Sequence, residues 1–569
     1  MTDKTPLNVV LCWHMHQPDY RDHVRDEFQL PWVYLHAIKD YVDMAAHIEA
    51  VPGAKAVFNF SPVLLDQLAI YEHQIEGRLK DFGPIRDPLL AALDSPVFPA
   101  DIEHRLALVK ACLHSNQKRI IERFKAYQRL VHIADLVIHD MDSSSYVSNQ
   151  YLADLVTWYH LAWLGETVRR NDERVKALIA QGSGFTLHQR RSLLLIIYEL
   201  LSTLRSRYTR LVDLGQVELS TSPYAHPIIP LLLQFGTARE AMPGVRLPIL
   251  EAYPNGRERA CWHLQRGLEV FEAYFGRRPT GCWPSEGGIS SATLEVIAEA
   301  GFLWTATGES VLRNSLRQSS ADGHSGVPFH GSYKEQGSGL RLFVRNDTLS
   351  DLISFTYANW HADDAVADLV NRLVTVADAC QNQKNAMVSI IMDGENAWEY
   401  YPENGYYFLT ALYHRLVEHP RLKLTTYKDL LQTSEAYEIK KITAGSWVYG
   451  TFSTWIGDED KNRAWDILGD VKHVYDECCK HAEYEPQLQR RINEQLAVCE
   501  GSDWFWWLGD YNPAATVSDF ERLFRVHIAN LYLMIGQEPP QYLGQIFAHG
   551  RGSPKLGGVI RPGSPDGST

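Results

Sequence analysis

No Cys-x-x-Cys spacing occurs among the eight cysteines, Cys12, Cys112, Cys261, Cys282, Cys380, Cys478, Cys479 and Cys499. A zinc ribbon or a dithiol redox motif is therefore not expected, and the cysteines read as reduced thiols in or near the core. Long apolar stretches are also missing: Leu193–Tyr198 stops at Glu199, far short of a membrane span. Met1–Asn8 has no apolar core of a secretory signal, so the cytoplasm is the expected compartment. Positive charge is in deficit, 55 Lys and Arg against 69 Asp and Glu for a net charge of -14. A phosphate backbone or an anionic membrane would not be attracted. No internal repeat is found. What remains is 569 residues, 45% of them hydrophobic, enough for a large core and more than one core usually organises, which predicts two packed units.

Aromatic residues are plentiful, with 15 tryptophans and 28 tyrosines. Many fill the core wherever they occur, because aromatics bury large areas. Trp13, Trp283, Trp398, Trp447, Trp455, Trp504, Trp506 and Trp507, however, sit near Gly, Asp, Glu or His at the ends of apolar runs. Flat rings beside carboxylates suit a ligand with apolar faces and hydroxyl edges, which is the shape of a sugar ring.

Along the chain, Leu7–Trp13 reads as a short buried strand ending in His14-Met15-His16-Gln17-Pro18, and Ala54–Phe60 as a second. From about 62 to 214 the apolar residues recur at helical spacing with no clear strand, which predicts a helical insertion. Strand character returns at Gly215–Ser220, which carries Glu218, and a strand after Pro279 is expected to end at Glu286. Further strands are expected at Phe302–Ala306, Leu340–Val344, Ala386–Met392 and Leu422–Thr425, with helices such as Asp363–Ala379 between them. Alternating strands and helices with acids at strand ends predict an α/β parallel barrel with its site on the carboxyl-end face. The division expected is a barrel over residues 1–430, a helical domain over 431–545 that contributes to the cleft, and a disordered tail over 546–569.

Glu286 and Asp393 would meet at one barrel mouth. Two carboxylates facing one bond are what glycoside hydrolysis requires, one as acid and the other as nucleophile or base. The Trp283 and Trp398 rings and the Glu395 charge could raise the pKa of one of them. His14-x-His16 has a competing meaning, since such a pair at the end of a first strand can bind zinc in a metal-dependent amidohydrolase, with His226 and Asp393 available to complete the site. A buried histidine pair and hydrogen bonding to sugar hydroxyls are the other readings.

Five segments, taken together and in order, carry a resemblance: His14-Met15-His16-Gln17-Pro18, Gly215-Gln216-Val217-Glu218, Trp283-Pro284-Ser285-Glu286, Asp393-Gly394-Glu395-Asn396 and Ser502-Asp503-Trp504-Phe505-Trp506-Trp507. They resemble the successive sequence regions of glycoside hydrolase family 57. The resemblance implies an incomplete (β/α)7 barrel followed by a C-terminal α-helical domain, and retaining action on α-glucans without a metal or other cofactor. Glu286 falls on the family's nucleophile and Asp393 on its general acid/base. His14, Glu218, Glu395 and Asp503 fall on positions lining the sugar site, with His16, Gln17, Trp283 and Trp398 beside them. The wording around Glu286 and Asp393, and the segment from Gly445 through Trp447 and Trp455 to Asp458, is similar to amylopullulanase and α-amylase members. Trp447, Trp455 and Trp504 are then expected to stack on glucose units. Trp506-Trp507 stands where transferase members tend to have Trp-His-Gly, so a 4-α-glucanotransferase or branching activity stays open beside hydrolysis of α-1,4 or α-1,6 bonds. An inactive glucan-binding protein is the remaining alternative.

Overall fold

The computed structural model describes residues 5–139, 147–319 and 327–551. Seven parallel strands form the barrel: β1 (Leu7–Met15), β2 (Ala56–Phe60), β3 (Val217–Thr221), β4 (Gly281–Cys282), β5 (Trp304–Gly308), β6 (Arg341–Arg345) and β7 (Met387–Asp393). Each pairs with the next, and β7 returns to β1 along a seven-residue register from Asn8 opposite Met387 to His14 opposite Asp393. The seam between β6 and β7 is a single register pair, Ser389 opposite Arg345. There the Arg345 guanidinium reaches across and donates Nε–H to the Ile391 carbonyl at 2.8 Å. The barrel is therefore incomplete, and a side chain makes up part of the missing ladder. A short strand β8 (Leu422–Leu424) pairs with the start of β1.

Burial on both faces explains why these strands read as nearly unbroken apolar runs. Along β1, Val9, Leu11, Trp13 and Met15 pack outward against the surrounding helices. Val10 and Cys12 point inward and join Val57, Trp283, Trp304, Phe343 and Ile391 in the barrel interior. Alternation of this kind carries His14, one step further, into the interior at the carboxyl end.

Among the described residues between Pro62 and Asp213 every regular element is a helix. The longest, Leu187–Asp213, begins with a capping box in which Thr186 and Gln189 satisfy each other's backbone. Further on, helix Gly256–Phe275 ends at Gly276 in the left-handed conformation, and Ser290 caps helix Ser291–Glu299.

After β8 the chain becomes mainly helical, with Glu459–His481, Pro486–Cys499, Ser502–Trp507 and Ala514–Met534. These helices are fastened to the loop after β1: Asn530 donates to Asp22 at 3.0 Å, and the His527 ring meets the Asp19 carbonyl at 3.0 Å. Of the tail expected to be disordered, residues 546–551 are described, and they pack: Ala548 is buried, and the Phe547 amide donates to Glu521. Residues 552–569 lie outside the described residues. All eight cysteines are unpaired. No helix among the described residues is long and apolar enough to cross a membrane.

Candidate active site

At the mouth, β1 delivers His14 and, just beyond it, His16. His14 Nδ1 lies 2.7 Å from Asn59 Oδ1, which can only accept, so the proton sits on Nδ1 and leaves Nε2 bare. That bare nitrogen meets Nε2 of His226 at 3.1 Å. His226 must then donate from Nε2 and accept at Nδ1, where the Ser502 hydroxyl stands at 2.9 Å. Burial holds both rings neutral, His14 down to about 3 and His226 well below the usual range, each helped by the neighbouring histidines. His16 completes the group, with Nδ1 2.8 Å from Ser61 and Nε2 3.0 Å from the Asp503 carboxylate. Its ring stacks on that of His226 at 3.8 Å and 20°.

This arrangement bears on the zinc reading. The three histidines do offer nitrogen atoms within 4.8 Å of one another. A tetrahedral ion needs lone pairs that converge on one point, whereas in these tautomers His14 Nδ1 and His226 Nε2 carry protons and the ring nitrogens of all three histidines already have hydrogen-bond partners. A hydrogen-bond relay from Ser502 through His226 and His14 to Asn59 accounts for the short contacts of those two rings without an ion, and His226 Nδ1 also lies 3.8 Å from Glu286 Oε1.

Glu286 is not the last residue of its strand. The chain leaves the sheet after Cys282, since Pro284 has no N–H to continue a ladder, and Ser285–Gly287 makes a tight turn. Glu286 sits in it with φ 58° and ψ 24°, left-handed backbone that costs a residue other than glycine about 1–3 kcal/mol and gathers at functional sites. His226 (φ 60°) and Tyr449 (φ 57°) share that conformation nearby. The turn is clamped by the segment 445–447: Ile289 pairs with Gly445, the Trp447 amide donates to the Glu286 carbonyl at 3.0 Å, and the Trp447 indole donates to Glu286 Oε2 at 2.9 Å. Only glycine at 308 lets this strap lie so close, because a Cβ there would fall 2.7 Å from the Trp447 Cα. Burial and the Asp393 charge push the Glu286 carboxyl well above its usual range, against the pull of the Trp447 N–H.

Asp393 ends β7 as expected, half-buried, with Oδ2 accepting from Asn396 Nδ2 at 3.0 Å. Burial raises it too, opposed first by Asn396 and then by the charges of His16 and Arg345. The chain can turn sharply here because Gly394 packs on Met15, whose Sδ would lie 2.3 Å from a Cβ. A cavity of about 220 Å³ opens beside Asp393, between Trp447, Tyr449 and Trp506.

Around this pair the structure gathers His14, His16 and Asp503. Several other residues expected at the sugar site lie elsewhere. Glu218 is the second residue of β3, opposite Val57, at the amino end of the barrel. Its carboxylate is filled by Trp304 Nε1 at 2.8 Å, the Lys428 amide at 2.8 Å and Thr280 at 3.1 Å, while the carboxyl end of β3 carries Ser220 and Thr221. Glu395 is buried behind Asp393, where Oε1 accepts from the His16 amide and from Gln17 Nε2. It therefore holds the His16 backbone and the Gln17 side chain and is not open to a sugar, and Gln17 is buried behind the site. Trp398 packs beneath Asp393, against Trp13 and Tyr401, with its N–H on the Gly394 carbonyl at 3.0 Å. Trp283 is fully buried under Trp447. Trp455 is buried against Trp506, and Trp504 spends its N–H on Val498. Asp458 is the N-cap of helix Glu459–His481. The stacking role expected of Trp455 and Trp504 is thus replaced by core packing, and the Trp447 N–H is committed to Glu286.

Sequence reasoning missed Asn59, Arg345 and Tyr449, gave Ser502 and Asn396 no role beyond their place in the motif segments, and saw His226 only as a possible ligand. The one available signal was proline on both sides of His226, in Pro223-Tyr224-Ala225-His226-Pro227, which fixes a loop rigidly enough to aim a side chain.

A family model described as glycosyl hydrolase family 57 matches residues 10–444. A search of curated protein sequences finds no match. Three solved structures share the fold over nearly the whole chain. A branching enzyme of that family from Thermococcus kodakaraensis, solved with glucose, is 15% identical, with 94% of this chain and 90% of that chain covered at a TM-score of 0.54. A branching enzyme from Pyrococcus horikoshii is 16% identical, with 99% of each chain covered at 0.53. The α-amylase AmyC from Thermotoga maritima is 13% identical, with 95% and 96% covered at 0.55.

Proposed function

The chain belongs to glycosyl hydrolase family 57, and from that premise we propose that it is a retaining enzyme of α-glucans that cleaves glucosidic bonds by double displacement. The observation that carries this reading is the pair of carboxyls at one mouth: Glu286, buried on a strained turn held by Trp447, and Asp393, half-buried at the end of β7. Burial raises both, and the Asp393 charge raises Glu286 further. Double displacement needs a proton on Asp393. The Trp447 N–H favours it by stabilising the ionised Glu286.

Asp393 then protonates the glycosidic oxygen as Glu286 attacks the anomeric carbon, and a β-linked glycosyl ester forms while the leaving sugar departs. In the second half Asp393, now ionised, takes a proton from the incoming hydroxyl, which displaces Glu286 and restores the α configuration. His14 and His16 spend their ring nitrogens on Asn59, His226, Ser61 and Asp503, so they hold the wall of the site in place, and the Asp503 carboxylate, with lone pairs to spare, is the group left to accept from a sugar hydroxyl.

Hydrolysis of the amylase or amylopullulanase kind is the first reading. Transfer to a glucan hydroxyl uses the same carboxylates. It is favoured as the second by the aromatic wall of Trp447, Tyr449 and Trp506 around the cavity beside Asp393, which offers ring faces to an incoming sugar acceptor. Product analysis on maltoheptaose and on pullulan tests both: new reducing ends mean hydrolysis, and redistributed chain lengths mean transfer. Glu286→Gln should lower turnover about 10³-fold or more, and retention of more than about 1% of activity removes Glu286 as nucleophile.

A further inference from the structure

The cavity beside Asp393 does not end there. Across a shared rim of Asp351, Ser354, Phe355 and Tyr449 it runs into a second cavity of about 600 Å³, whose far wall is Asn116, Lys118 and Arg119 of the helical insertion. The two walls are tied together, since Arg119 donates to the Ala358 carbonyl at 3.3 Å, so the groove exists before anything binds in it.

Its chemistry is specific enough to name a ligand class. Phe355 keeps a flat apolar ring in solvent, 44% exposed, at the junction of the two cavities. Tyr449 is held at the same junction by a left-handed backbone, a conformation that persists only where the surroundings enforce it. Asn116, Asn359 and Arg119 line the groove with these rings, and along its length Lys118, Arg119 and Arg345 are matched by Asp347, Asp351 and Asp393. Ring faces bordered by hydrogen-bonding edges, with no excess of one charge, fit a chain of neutral sugars better than a phosphate or a peptide. The side of the cleaved bond follows from the lining: Asp393 borders the groove and Glu286 does not. The residue that protonates the leaving oxygen stands on the leaving-group side.

We propose that the groove from Asp393 over Phe355 and Tyr449 to Asn116 and Arg119 binds glucosyl units on the acceptor side of the cleaved bond and makes the enzyme selective for long α-glucans. This assignment rests on the α-glucan reading of the carboxylate pair.

Calorimetric titration of the Glu286→Gln protein with maltoheptaose and with maltotriose separates the two. Maltoheptaose should bind about tenfold more tightly or better, and Phe355→Ala or Asn359→Ala in the same background should reduce the preference to about twofold, the scale of one lost stacking or polar contact. Both side chains are exposed, so either substitution serves if the other fails to fold. In the active enzyme, Phe355→Ala should lower kcat/KM on maltoheptaose about tenfold relative to kcat/KM on an aryl α-maltoside, whose aglycone is too short to cross the rim. Equal affinity for the two lengths, or a preference that survives both substitutions, overturns the groove. A length preference that the substitutions abolish, in a protein whose wild type cleaves neither substrate, upholds the groove and overturns the catalytic reading.

Discussion

Replacing Trp447 by phenylalanine removes the indole N–H that donates to Glu286 Oε2 at 2.9 Å while keeping an aromatic ring against Trp283, whose centroid lies 5.1 Å away. Burial and the Asp393 charge push the Glu286 carboxyl up, and the Trp447 N–H holds it down. The nucleophile must be ionised, and the lost donor served the ionised form. Its pKa therefore rises further, and at each pH below the new value a smaller fraction of the enzyme is competent. A hydrogen bond to a charged group contributes about 1.5–3 kcal/mol, equivalent to about 10- to 100-fold in rate. On the acid side of the optimum, kcat/KM should fall by about that factor, and the loss should shrink as the pH rises past the limb. The assay is kcat/KM on an aryl α-maltoside across the accessible pH range, which reports the ionisations of the free enzyme. An acid limb that stays in place, or one that moves to lower pH, would refute the role given to Trp447.

Three further outcomes follow from the same contacts. Trp398→Ala should lower the unfolding free energy by about 3–5 kcal/mol in denaturant titration, because the ring is core; a fully stable variant with impaired maltoheptaose binding would return Trp398 to the cleft. Glu218→Gln should cost about 1–3 kcal/mol of stability, since an amide cannot accept from all three donors, while kcat/KM stays within about tenfold; a loss on the scale of Glu286→Gln would place Glu218 in the chemistry. Glu286 has its carboxyl raised in the folded state, so the stability it confers is full below the ordinary glutamate range and is lost as pH rises through its folded value. Glu286→Gln should accordingly gain Tm relative to wild type on going from acid to neutral pH, and a relative loss over that interval would contradict the burial penalty.

The barrel strands were legible because burial on both faces leaves a plain mark, the unbroken apolar run, and Asp393 was legible because its run ends at Gly394. Glu218 was misplaced by that same rule. Val217-Glu218-Leu219 looks like a strand ending in an acid, but the acid faces the interior near the strand's beginning, where Trp304, Thr280 and Lys428 satisfy it. Those partners lie 86, 62 and 210 residues away, so no local pattern shows them. The tryptophans failed for a related reason. Proximity to acids in sequence says nothing of where a ring turns, and Trp398 and Trp504 each turn to a backbone carbonyl, Gly394 and Val498, inside the core. The strained turn of Glu286 has its cause in the sequence, Pro284 before and Gly287 after, but its clamp comes from Trp447, 161 residues on. The histidine relay is tertiary throughout, and the His14-x-His16 spacing by itself fits a metal site equally well.

The most direct test is to trap the intermediate. A slowly turning over fluorinated α-glycosyl fluoride, followed by acid quench, proteolysis and mass spectrometry, locates the sugar on the chain. The expected result is one covalent glycosyl adduct on the peptide that carries Glu286, absent from Glu286→Gln and longer lived in Asp393→Asn. An adduct on Asp393, or inverted product with no adduct at all, would contradict double displacement by this pair.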